Sequence, residues 1–198
     1  MKKYRFILLV AVALVGLTPG LPWGTVGEAG GSKTKSEKFT VKVIGPLVDP
    51  PSSFCPVGPN LFGFSGDVFK EDDDPQVDDP IGTYDACVQS FTGNPFAGGG
   101  KAELKARFIL ADGTISVTCT CYPTISAKPP EVDGNVLLSF TSGVGSITDA
   151  DGISSGATSA STIIGNGESE LAPDPTSPIG LKPVRERAFF FINLQLDD

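Results

Sequence analysis

The sequence predicts an all-β fold: an antiparallel barrel of roughly eight strands behind an N-terminal signal peptide, with a β-sandwich as the alternative. Three observations predict it. From Lys101 to Cys121 apolar and polar residues alternate with a period of two, which marks half-buried strands. The same alternation recurs as far as Leu196, and no stretch makes a convincing amphipathic helix. Gly (24) and Pro (17) are abundant in the 198 residues, which suits many short strands joined by turns.

Met1–Leu17 reads as the targeting signal. Lys2, Lys3 and Arg5 give it a basic start, and the apolar run Phe6–Leu17 is too short for a membrane span of about 20 helical residues. Residues 1–29 are taken as the leader, with small residues at Thr18–Gly20 and Gly27–Ala29 as alternative cleavage sites. Residues 30–37 read as a flexible linker and 38–198 as one barrel domain.

Within that domain Phe39–Ile44 is the first strand, rich in β-branched residues. Gly45–Asn60 carries five prolines and is a loop, pinned by Cys55. Leu61–Phe69 and Ile81–Phe91 are strands around the acidic segment Glu71–Pro80, which is read as a solvated hairpin tip and not a calcium loop. Thr92–Gly100 is a glycine-rich loop without the Gly-Lys-Ser/Thr that phosphate binding needs. The central hairpin follows: Lys101–Leu110, an Ala-Asp-Gly turn at 111–113, and a return strand to Cys121. Its inner face holds Ala102, Leu104, Ala106, Phe108, Ile115, Val117, Cys119 and Cys121. Tyr122–Gly134 is read as a loop, Val136–Thr141, Gly143–Ile147 and Ile153–Ile164 as strands, and Gly165–Lys182 as a long loop. Arg187–Leu196 closes the sheet, with Phe190, Ile192, Leu194 and Leu196 in phase.

The four cysteines lie beyond the leader, and an even number in an exported chain points to disulfides. Cys119 and Cys121 are two apart on a strand, so their Cα atoms sit about 6.6 Å apart, at the limit of a bridge and with parallel Cβ vectors. Each is therefore expected to pair with Cys55 or Cys87. Cys87 is out of phase with the inward residues around it, which calls for a bulge there or for a 119–121 segment that has left the sheet. A lone C-x-C without histidine is not a zinc spacing, so no metal and no cofactor is expected.

With no histidine, the usual triads and His-based acid–base catalysis are excluded. Asp85 and Glu103 are the carboxylates considered for a glycosidase dyad, though alternation puts Glu103 on the polar face. The net charge of −8 lacks the basic patch a nucleic-acid surface needs, and it disfavours anionic membranes.

Leu61-Phe-Gly-Phe-Ser-Gly66, Phe108-Ile-Leu-Ala-Asp-Gly-Thr-Ile115 and the glycine-rich run Gly143–Ala157 resemble small secreted bacterial proteins of the allene oxide cyclase-like barrel family, which shares its fold with plant dirigent proteins. Ile147 stands where that family has an aromatic residue and Asp149 where it usually has glycine. The resemblance implies an eight-stranded barrel with a central apolar cavity; it places no catalytic residue on this chain.

Three functions follow as expectations. The first is a secreted, non-catalytic barrel that holds a small apolar molecule among Leu104, Phe108, Val117, Phe190 and Ile192, without membrane insertion once the leader is gone and with its oligomeric state open. The second is an isomerase or cyclase resembling allene oxide cyclase. The third is a structural protein of the cell envelope or matrix. A filled barrel would remove the first two, whereas a cavity holding a lone buried carboxyl would favour catalysis.

Overall fold

A computed structural model of the chain describes residues 35–56, 60–97, 99–152 and 157–196. The leader 1–29 and residues 30–34 of the expected linker lie outside them. The strand that opens the described chain starts earlier than its sequence pattern indicated, at Lys35, so 35–37 are sheet and not linker.

Nine strands follow one another without an intervening α-helix among the described residues: β1 (Lys35–Pro46), β2 (Phe62–Lys70), β3 (Gly82–Asn94), β4 (Gly99–Leu110), β5 (Gly113–Ile125), β6 (Val136–Ser142), β7 (Gly145–Ala150), β8 (Thr162–Pro173) and β9 (Leu181–Leu196). Every pairing is antiparallel. The order β4-β3-β2-β1-β9-β8-β6-β5 returns to β4, because β5 also pairs with β4, so the sheet closes into a ring. β6 and β7 share one position in that ring. The mouth-side half of β5 pairs with β6 and the other half with β7, while β8 does the same from the opposite side. Nine strands thus fill eight places, and closure leaves no long open edge to aggregate.

Alternation directs the apolar face inward. Ala106 and Phe108 of β4 face Val117 and Ile115 of β5 in register, Ala102 and Leu104 face Cys121 and Cys119, and the six residues other than the cysteines are all buried. The turn between these strands closes on Gly113, whose φ of 148° lies where other residues are strained. The core continues through Val41, Val43, Tyr84, Ile163, Phe190, Ile192 and Leu194.

Two segments read as loops are sheet. β5 runs on to Ile125 through Pro123, and β8 occupies Thr162–Pro173, inside the supposed long loop. The inward positions of β8 include Gly165 and Gly167, which hide the alternation. They are small for a reason: a Cβ on Gly165 would lie 2.7 Å from the Phe190 ring, and one on Gly167 2.4 Å from the Arg187 carbonyl oxygen.

The cysteine pairing is also corrected. Cys55 and Cys87 form the disulfide, and Cys119 and Cys121 are free thiols. Cys87 is out of phase because it points away from the barrel interior, where the loop after β1 folds back over the outer face of the sheet. Gly63, the residue paired with Cys87, makes this approach possible: a Cβ there would sit 2.7 Å from the Cys55 sulfur. The Phe54 ring in the same loop lies 4.5 Å from the Arg107 guanidinium. No bulge at Cys87 is required; the register shift falls between Val88 and Ser90.

Candidate functional site

The barrel has two ends. One carries the connections β1–β2, β3–β4, β5–β6 and β8–β9; the other carries β2–β3, β4–β5 and β7–β8. The interior differs between them. Toward the second end Phe108, Ile115, Val117 and Ile192 are almost wholly buried and fill the space. Toward the first end lies a cavity of about 320 Å³.

Aromatic rings make its floor. Tyr84 packs on Phe108 at 4.9 Å and on Phe190 at 5.2 Å, Phe108 meets Phe190 edge-on at 5.2 Å, and Phe64 stands 6.1 Å from Tyr84. Phe64, Tyr84 and Phe190 face the cavity, while Phe108 lies beneath it. Such offset and edge contacts suit the ring quadrupoles and give a rigid base. The walls include Ala102, Leu104, Val88 and Leu138, and the rim is formed by Phe96 of the β3–β4 turn and Ile179 of the β8–β9 loop. Both rim side chains are partly exposed, at 51% and 36%.

Of the five residues expected to line a ligand site, Leu104 and Phe190 do line the cavity. Phe108, Val117 and Ile192 point inward as expected but belong to the packed half. Cys119 and Cys121, placed inside by their alternation, are on the cavity wall as thiols.

One carboxyl stands among the lining residues: Glu186 of β9. It is 2% exposed, and its Oε2 has no hydrogen-bond partner. Loss of water around the charged form raises its pKa from 4.5 to about 8. At neutral pH it is therefore largely a neutral acid with a proton to donate. Burial pushes the Tyr84 phenol well above its ordinary value, and the Glu186 carboxylate adds to that shift. The two thiols interact as a pair. The neighbouring Cys121 thiol lowers the pKa of Cys119, and Cys119, together with burial, raises that of Cys121.

Glu186 was not singled out by motif, yet its phase was available. It stands two residues before Ala188 and four before Phe190, in step with Ile192 and Leu194. The carboxylates that were considered lie elsewhere. Asp85 is buried on the outer face, where Arg107 holds it at 2.8 Å, and Glu103 faces solvent beside Lys101 and Thr120. In the acidic segment 71–80, Asp73, Asp74 and Asp78 accept hydrogen bonds from backbone amides of their own turn. Among the described residues no group of three His, Cys, Asp or Glu side chains is arranged to hold a metal ion.

Fold and site together define a class: a closed antiparallel barrel, packed in one half and hollow in the other, with a neutral acid inside the hollow. No protein-family model and no curated protein sequence matches the chain. Among solved structures it is similar to the crystal structure of the Diels–Alderase AbmU from Streptomyces koyangensis, at 11% identity and a TM-score of 0.32, over 84% of this chain and 70% of that one. A likeness of that size carries no argument about function.

Proposed function

We propose that the protein is an exported binding barrel that takes one small, largely apolar molecule bearing a hydrogen-bond acceptor. The observation that carries this reading is the cavity with Glu186 in its wall, unpartnered and buried. A volume of about 320 Å³ falls at the lower end of small-molecule sites, roughly 300–1,000 Å³. Each methylene that leaves water for such a lining contributes about 0.8 kcal/mol. A carbonyl, ether or hydroxyl oxygen placed at Glu186 would satisfy a donor whose isolation costs about 1–3 kcal/mol. The Cys55–Cys87 bond supports export, since disulfides persist in oxidising compartments. The inward apolar face and glycine-rich strands also agree with the allene oxide cyclase-like resemblance, which implies a cavity of this kind.

The test is binding of a neutral apolar fluorophore, N-phenyl-1-naphthylamine, to the full chain. Saturable binding to one site is expected. Ala102→Phe places a ring in the cavity and should weaken it by at least about tenfold, or 1.4 kcal/mol, with the fold intact by circular dichroism. Equal binding to both proteins would remove this reading. Native mass spectrometry of protein purified from its own host would then identify the natural occupant.

A second reading, an isomerase or cyclase, is favoured by the same carboxyl. A buried acid that keeps its proton near neutral pH can serve as a general acid toward a bound substrate. Chemical change of the recovered occupant by the native protein, lost in Glu186→Gln, would separate catalysis from binding.

A further inference from the structure

Cys119 and Cys121 have no part in the reading above, and their arrangement is unusual for an exported chain that has already formed one disulfide. Both side chains project from the inner face of β5 onto the cavity wall, opposite Leu104 and Ala102 of β4. Two apart on one face of the strand, they stand side by side on that wall. The neighbouring strand packs close on one side of them: Gly145 of β7 has no side chain, and a Cβ there would lie 2.8 Å from that of Cys119. The strand holds their Cα atoms about 6.6 Å apart, at the outer edge of disulfide geometry and with the Cβ atoms parallel. An extended backbone thus opposes closure of the pair into a disulfide while leaving both sulfurs facing the same space.

We propose that Cys119 and Cys121 form a chelating dithiol site for a soft, thiophilic metal or metalloid centre that binds two sulfurs and leaves an uncharged complex. Three features set that class. Thiolates prefer soft centres. No third His, Cys, Asp or Glu ligand is in reach among the described residues, which disfavours ions that need a four-ligand shell. The surrounding wall is apolar, and a charged complex would be costly there. Hg(II) bound by two thiolates is neutral, and so is As(III) bound by two thiolates and one apolar substituent, with that substituent lying in the cavity.

Phenylarsine oxide is the probe. Its arsenic forms one bond to each sulfur, the arsenic–oxygen bond breaks, and the oxygen leaves as water with the two thiol protons; no oxidant or reductant is consumed. The full chain, with Cys55–Cys87 verified intact by mass, is titrated with the probe, and the adduct is challenged with glutathione, a monothiol. One adduct per chain is expected, with both free thiols lost together. Resistance to glutathione should exceed that of Cys119→Ser and Cys121→Ser by about a hundredfold, because the second bond is intramolecular. Hg(II) should protect the same two thiols from alkylation. Circular dichroism shows whether each variant is folded, and Ala102→Phe, which fills the neighbouring space, provides a variant with both sulfurs kept. In that variant Hg(II) binding should persist while phenylarsine oxide binding weakens. A wild-type adduct displaced by glutathione as readily as those of the single variants would overturn the proposal. So would an adduct that forms only after unfolding.

Discussion

The rings of Tyr84 and Phe190 lie 5.2 Å apart although β2 and β1 separate their strands in the sheet. They meet across the interior of the barrel, and their contact divides its packed half from its hollow half. Four residues toward the mouth from Phe190, on the same face of β9, is Glu186. The same strand therefore supplies both the floor of the cavity and its acid.

Phe108 lies under this floor, fully buried and in contact with both rings. Phe108→Ala should lower stability by about 3–5 kcal/mol, as large-to-small changes of buried aromatics do. It should also let the cavity extend downward. Denaturant unfolding reads the first effect. The second appears as binding of a bulkier neutral fluorophore that the native cavity excludes.

The Glu186 carboxyl couples stability to pH. Its pKa is 4.5 in ordinary surroundings and about 8 in the fold. Between these values the folded chain keeps a proton that the unfolded chain has released, so stability falls as pH rises through that window. The slope from this group approaches about 1.4 kcal/mol per pH unit, and the contribution is fully present only below about pH 4.5. Glu186→Gln removes the titration and should flatten the curve, with its advantage over the native chain greatest at and above pH 8. Chemical denaturation of both proteins from pH 5 to 9 gives the comparison. Parallel curves would show that Glu186 is charged or solvated inside the barrel.

The Cys55–Cys87 bond closes a separation of 32 residues. Removing it with a Cys55→Ala/Cys87→Ala double variant should cost about 3–4 kcal/mol on the chain-entropy model. Binding in the cavity should be retained, because the bridge lies on the outer face. Gly63→Ala tests the same packing without touching the sulfurs. Its added methyl group collides with Cys55 and Pro50, both 2.7 Å from the new Cβ position, and should destabilise the loop after β1.

Much of the fold was legible, and the places where it was not share a cause. β4 and β5 showed their alternation because their inward positions are large or medium apolar residues, from Leu104 and Phe108 to Ile115 and Val117. β8 concealed its own, because Gly165, Gly167 and Ser169 occupy inward places where Phe190 and Ala188 press close. The disulfide was misread because an even number of cysteines was taken to mean that all four are bridged, whereas Cys119 and Cys121 are free. Cys87 faces outward and finds Cys55 in a loop whose path no local pattern discloses. Glu186 was in phase with the core of β9, but a carboxyl in an apolar row identifies a site only when the space before it is known to be empty.

By itself the sequence determined which side chains turn toward the interior. A period of two is imposed by strand geometry residue by residue, and burial of one face decides its direction. Tertiary structure alone decided that one half of the interior is packed and the other hollow, that Glu186 faces open space, and that Cys119 and Cys121 remain thiols. Those properties depend on what arrives from distant strands and loops at the same place, and local pattern carries no record of that meeting.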